Sequence, residues 1–317
     1  MGLVDGADGS TSGGPDSESR DAVIPVTSVV VGSVESARSI SRCLASIFAG
    51  APRESIEVIL VDASADDTAS IARREFPAAR VIAMPVDTLT PVLWAAGISA
   101  ARGQYVALTT GHCVVAPGWT RSLGNALDSG AAGAGGPIAL ADDASLLDAA
   151  IYFLRYSAFM PPRRPPAPPI RDIAGDNAMY RRDVLERHAP SFAGGFWEKE
   201  FHEALFHDGE HLSFVTAAAA RFGRSFPLRV ISRHRFEHGR RFGAWRATKG
   251  GESVIRVCAA APVVPIVMLA RIANRVYRDG APKARFVLST PAILWLAACW
   301  ATGEAAGAWR ARHADRR

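Results

Sequence analysis

The sequence predicts an α/β protein, a doubly wound and mostly parallel sheet flanked by helices and followed by a C-terminal apolar helical pair. Two observations carry that prediction. Short β-branched runs alternate with helically spaced apolar residues over the first 130 positions, the signature of a parallel sheet with crossover helices. The composition, 49% hydrophobic and 21% charged over 317 residues, is that of a globular chain able to bury a core without metal or disulfide staples. It excludes wholesale disorder and a disulfide-dense secreted scaffold. Cys43, Cys113, Cys258 and Cys299 form no CxxC pair, so reduced thiols in a cytosolic setting are expected.

Taken in order, residues 1–23 are Gly, Ser and Asp without an apolar core, and read as a disordered tail. They lack a basic region and an apolar run, so no signal peptide is expected there. Residues 26–31 (VTSVVV) form the β-branched run a buried parallel strand requires. Ile40, Leu44, Ile47 and Phe48 then recur at helical spacing. A second strand, residues 56–61 (IEVILV), ends at Asp62, and a helix begins near Asp66–Thr68 and stops at Pro77. Residues 80–84 read as a strand, 91–101 as a helix and 105–108 as a fourth strand, and Pro117 opens another helix. The Gly133–Pro137 run reads as a turn and Leu146–Tyr156 as a helix. Residues 161–169 hold six prolines in nine positions, a stiff extended loop serving as a spacer or as a lid. Ligands of doubly wound sheets sit beyond the C-terminal strand ends, which gathers Gly32–Glu35, Asp62–Asp67 and Thr109–Cys113 around one crevice.

Several chemistries are excluded by spacing. The turn after the first strand has one glycine, so the GxGxxG of a dinucleotide site is missing, and so is a Walker A motif. His202 and His207 are five residues apart, roughly 140° around a helix, and cannot form the i,i+4 pair of a zinc hydrolase, with His211 beyond Gly209.

Short motifs in a fixed order point elsewhere. They are Val61-Asp-Ala-Ser-Ala-Asp-Asp-Thr68, Ala96-Gly-Ile followed by Ala101-Arg-Gly-Gln-Tyr105, Pro117-Gly-Trp119, Gly175-Asp-Asn-Ala-Met-Tyr-Arg-Arg182, and Phe196-Trp-Glu-Lys-Glu200. Together they resemble the family 2 glycosyltransferases of GT-A fold. The resemblance implies a GT-A domain over 24–250, with a nucleotide-sugar half at 24–140 and an acceptor half at 141–250. It implies transfer of a sugar from a nucleotide-sugar donor to a glycan or lipid-linked acceptor, with inversion, in polysaccharide biosynthesis.

By the same resemblance Asp62 contacts the base and ribose, and Asp66 shapes the turn or caps the next helix. Ser33, Glu35, Ser64 and Thr110 are further donor contacts. Glu198 aligns with the carboxylate that takes the acceptor hydroxyl proton, and Glu200 is the alternative. The leaving diphosphate must be neutralised, by a metal or by cationic side chains. Here the sequence departs from the family. Its DxD metal motif falls on Thr110-Gly111-His112, so His112 is the one candidate ligand for Mn²⁺ or Mg²⁺, and activity is expected to be metal-independent or weakly Mn²⁺-preferring. The basic segments Arg233-His-Arg235 and His238-Gly-Arg-Arg241, Arg240 and Arg241 foremost, lie in a stretch similar to the family's basic region and are candidates to meet the phosphates instead. The altered motifs also leave open a catalytically weak or inactive nucleotide-sugar-binding or scaffold protein.

Charge is divided unevenly. Residues 1–220 hold 17 basic and 26 acidic side chains, whereas 221–317 hold 19 and 5. A basic final third needs an anionic partner. Its apolar stretches, 257–270 and 286–303, argue against nucleic acid and for lipid. Both are marginal for a span, and a hairpin would put Arg271, Arg275, Arg278, Lys283 and Arg285 on the outer side, against the positive-inside rule. Residues 251–317 are therefore expected to lie at the cytoplasmic face of an anionic membrane, with Trp295, Trp300 and Trp309 near the polar boundary.

Overall fold

The computed structural model describes residues 26–50, 56–86, 88–223, 227–248, 253–279 and 281–314, and the expectation for residues 1–23 falls outside them. Four parallel strands form the heart of the fold: β1 (Thr27–Ser33), β2 (Ile56–Asp62), β3 (Ala79–Ala83) and β4 (Tyr105–Thr110). Their order is β3-β2-β1-β4, and β8 (Asn177–Arg181), β6 (Gly133–Gly135) and β9 (Leu212–Phe214) extend the sheet beyond β4. β8 runs antiparallel to both β4 and β6. A small second sheet holds β5 (Cys113–Val115), β10 (Ala220–Phe222) and β7 (Ile138–Leu140). This is the mixed, mostly parallel α/β architecture the sequence predicts.

The strand alternation builds two cores. Val29 and Val31 of β1 face one way, with helices α1 (Ile40–Ala49), α2 (Thr68–Glu75) and α4 (Trp119–Asp128). Val30 faces the other, with α3 (Thr90–Ala100) and α5 (Leu146–Tyr156). A period of two along a strand buried on both sides requires this split. The Gly133–Gly135 segment is not the turn its glycines suggest. It is strand β6, and it needs small residues because Tyr180 and Leu212 pack directly on Gly133.

Beyond the sheet come α6 (Arg182–Arg187), α7 (Glu198–His207) and the 21-residue α8 (Leu228–Thr248). The apolar pair is more elaborate than expected. α9 (Val254–Ala260) and α10 (Val264–Asp279) meet at a 66° bend next to Pro262, and α11 runs from Lys283 to Ala314. α11 lies along α8 and against α5. The α8–α11 seam is made of glycines: a Cβ on Gly239 would lie 2.0 Å from Trp300 O, and one on Gly303 2.0 Å from Phe236 O. Gly243 and Gly307 repeat this contact with Glu304 O and Arg240 O, each at 1.9 Å. Backbone touches backbone. Beside the seam, Arg246 pairs with the buried carboxylate of Glu304.

Candidate active site

The crevice forms where β1, β2 and β4 end side by side. Ser33 is the register partner of Asp62, and Gly32 that of Thr110, so the two outer residues are two strand spacings apart, roughly 10 Å. Asp62 is 5% exposed, and its Oδ1 accepts the Ser64 hydroxyl at 2.6 Å. Burial lifts its carboxyl above the usual range, against the pull of the Ser64 and Ser33 hydroxyls. Two backbone loops are tied together here. Glu35, the one non-glycine residue with positive φ among those described, donates its N–H to Ser64 Oγ and accepts from Ala65 N–H through its own carboxylate. Asp66 accepts the N–H groups of Ala37 and Thr68, each at 3.0 Å, and so ties the α1 entry loop to the turn before α2.

Past the end of β4 opens a cavity of about 310 Å³, lined among others by Trp94, Arg155, Asp176, Glu198, Arg235 and His238. Trp94 donates to Thr109 O at 2.9 Å, fixing one wall. Thr110 Oγ1 donates to Asp176 Oδ1 at 3.0 Å, and Arg155 Nη2 reaches both oxygens of the same carboxylate at 3.0 and 3.1 Å. Burial, the largest single effect, would lower the basicity of Arg155, but Asp176, together with smaller contributions from Tyr156, Cys113 and Glu198, outweighs it and holds the guanidinium charged.

Glu198 opens α7 and points back into the cavity, where its Oε1 accepts the Gly175 N–H at 3.2 Å. A Cβ on Gly175 would lie 2.6 Å from that oxygen and 2.8 Å from the Trp94 ring, so only glycine leaves room for the carboxylate. Burial, then the Asp176 charge, raises the Glu198 carboxyl to about 7. A carboxyl poised near neutral pH suits a general base. Glu200, the alternative, is exposed on the first turn of α7 and does not line the cavity.

A relay, buried at His202 and Tyr180 and open to the surface at Asp172, holds α7 in place. Asp172 accepts from His202 Nδ1 at 2.6 Å, which leaves Nε2 to accept the Tyr180 hydroxyl at 2.8 Å. The relay joins the 170–176 segment, strand β8 and α7. His202 is thereby structural, as the zinc-excluding spacing implies.

Three expected assignments change. His112 is buried, with Nε2 against Val34 O and Ser36 Oγ and Nδ1 against Ser39 Oγ at 3.1–3.3 Å. Both ring nitrogens are engaged within the α1 entry loop, so His112 is not a metal ligand as placed. Among the described residues no group of three or more His, Cys, Asp or Glu side chains could hold a metal. Asp176, the nearest carboxylate, is already taken by Arg155 and Thr110. The residues present do not fit the divalent cation that the resemblance implies. Arg240 is paired with Glu237 on its own helix, and Arg241 lies over the Trp197 ring at 5.4 Å; neither lines the cavity. The arginines that do, beside Lys199, His234 and His238, are Arg155, which sequence reasoning passed over inside an apolar helix, and Arg235, from the earlier of the two expected basic segments. An arginine in the last turn of the otherwise apolar 146–156 run was the signal for the first.

The sequence profile of glycosyl transferase family 2 matches residues 28–189, just over half of the chain. No curated protein matches. Among solved structures, Staphylococcus aureus TarS 1-349 in complex with UDP-GlcNAc aligns over 91% of this chain and 92% of its own, at 12% identity and a TM-score of 0.48. The mannosyltransferase PcManGT from Pyrobaculum calidifontis, in complex with GDP-Man and Mn²⁺, aligns over 92% and 75%, at 21% identity and a TM-score of 0.44.

Proposed function

The chain belongs to glycosyl transferase family 2, and from that premise we propose that it moves a sugar from a nucleotide-sugar donor, with inversion, to a glycan or lipid-linked acceptor in polysaccharide biosynthesis. The observation that supports this most directly is Glu198, a carboxyl raised to about 7 inside a cavity that adjoins the nucleotide-side strand ends. Asp62 holds the base and ribose at the end of β2, with the Ser64 hydroxyl orienting its carboxylate. Glu35 and Asp66 shape the loops around it. The acceptor hydroxyl sits in the cavity, Glu198 takes its proton, and the oxygen attacks the anomeric carbon from the side opposite the leaving diphosphate.

A panel of nucleotide sugars, scored by thermal shift and by release of nucleoside diphosphate, tests this reading. One donor is expected to stabilise the protein and turn over. Asp62→Ala is expected to weaken binding of that donor about tenfold or more, the loss of one charged contact, with an unchanged melting temperature in its absence. Unchanged affinity would remove Asp62 from the site. Donor binding without turnover on any acceptor would favour the inactive, scaffolding alternative.

α11 is long and apolar enough to cross a membrane by length and composition. We place it at the cytoplasmic interface instead, because one side of it is packed on α8 and α5 and Glu304 is buried in that seam. Its other side exposes Val287, Leu288 and Trp295, and α9–α10 expose Ile255, Val263, Ile266 and Val267. Arg256, Arg271 and Arg278 lie among them on the surface. Two of the expected headgroup cations turn inward: Arg275 donates to Ser157 Oγ, and Arg285 to the carbonyls of Ala144 and Asp142. They fasten the tail to the domain. Co-sedimentation with phosphatidylglycerol vesicles is expected to fall about tenfold for the Ile266→Ser, Trp295→Ser double variant, from the loss of two apolar groups buried in lipid. Equal binding by the variant would detach this face from the membrane.

A further inference from the structure

A glycosyl donor carries two phosphates, and breaking its anomeric C–O bond leaves additional negative charge on them. That charge needs a counter-charge in place before the bond breaks. The residues at the metal-motif position supply neither a carboxylate nor a free imidazole, so the counter-charge must come from the protein's own cations.

Two guanidinium groups line the cavity. Arg155 comes from the last turn of α5 and Arg235 from the second turn of α8. Arg155 meets Asp176 through Nη2 alone, one corner of a five-donor fork. Arg235 has a buried Nε with no hydrogen-bond partner among the described residues. Burial first, and then the like charge of Arg155, pull the Arg235 guanidinium down to about 10, and the same two arginines help to push His238 down to about 3. Two cations lining one cavity, one of them with an unsatisfied buried donor, form a site that can take further negative charge. The carboxylates that line the cavity do not supply it in full: Asp176 is committed to Arg155 and Thr110, Asp172 to His202, and Glu198, raised to about 7, is only half charged at neutral pH.

The position is also right. Asp62, Thr110 and Asp176–Arg155 follow one another along the strand ends, so a nucleoside held at Asp62 would extend its diphosphate past Thr110 toward Arg155. Glu198 is the next group in the same cavity.

We propose that Arg155 and Arg235 bind the donor diphosphate directly and neutralise it as it leaves, so that this glycosyltransferase works without a divalent metal; the proposal rests on the donor reading above. In the step, the acceptor oxygen forms its bond to the anomeric carbon while the C–O bond to the diphosphate breaks. The bonding pair passes to the diphosphate oxygen between the two guanidinium groups, and the acceptor proton goes to Glu198. Planar, permanently charged forks suit this task better than a flexible ammonium.

Calorimetric titration of the full-length protein with UDP and GDP, in EDTA and in Mn²⁺, tests it. The preferred diphosphate is expected to bind equally in both, within about twofold. Arg235→Gln is expected to weaken diphosphate binding at least about tenfold, while the matching nucleoside without phosphates keeps its affinity. Arg155→Lys, chosen because Arg155→Gln would strand the buried Asp176 charge, is expected to weaken diphosphate binding in the same selective way. Binding that appears only with Mn²⁺, or Arg235→Gln and Arg155→Lys proteins that both hold diphosphate as tightly as the parent, would overturn the proposal while leaving the glycosyltransferase reading intact. A parent protein that binds neither nucleotide in either condition would overturn both.

Discussion

Glu198→Gln is expected to lower turnover by about a hundredfold or more while donor affinity stays within about twofold, because the amide fills the same space but cannot accept the acceptor proton. Glu200→Gln, on the exposed turn, is expected to leave turnover unchanged; the reverse pattern would move the base to Glu200. The parent enzyme should also carry the signature of its raised carboxyl, with turnover falling about tenfold per pH unit below 7 and flat above it. Stability moves the other way. A carboxyl raised from 4.5 to about 7 contributes stability that is fully present below about 4.5 and lost as pH rises through 7. Glu198→Gln removes that titration, so the variant should be the more stable protein at pH 8 and show a flatter stability profile between 4.5 and 7. Denaturant titrations of both proteins at three pH values check the sign.

The second large effect is structural. Gly303→Leu would place a branched side chain where Phe236 O already lies within 2.0 Å of the Cβ position. Neither helix can relax alone, because the same contact recurs at Gly239, Gly243 and Gly307. A loss of about 3 kcal/mol or more is expected, the upper range for overpacking, measured by urea unfolding. Since α8 also carries Arg235 and His238, diphosphate affinity should fall in parallel. A variant with parental stability would mean that the seam is looser than these distances allow.

The central sheet was legible in the sequence because its strands are buried on both faces and read as β-branched runs, and because Asp62 and Thr110 punctuate their ends. The loops around Asp62 were legible for the same reason. What escaped was long-range. Nothing local says that Arg155, in an apolar helix, will meet Asp176 twenty-one residues later, or that Arg235 rather than Arg240 faces inward. His112 was misread because a histidine at a metal-motif position is indistinguishable, in sequence, from one folded under serines that sit 73 and 76 residues earlier. The Gly-rich β6 was misread because glycine marks close approach as often as it marks a turn.

The glycine seam also orders events during synthesis. Gly239 and Gly243 are translated about sixty residues before Gly303 and Gly307, a delay of roughly 3–12 s at ribosomal speeds. Through that interval the sheet, its crossover helices and Glu198 are all available to fold, but the helix bearing Arg235 has no partner for its glycine face. The α8 wall of the cavity, which carries Arg235 and His238, therefore gains its glycine-seam partner only when α11 docks.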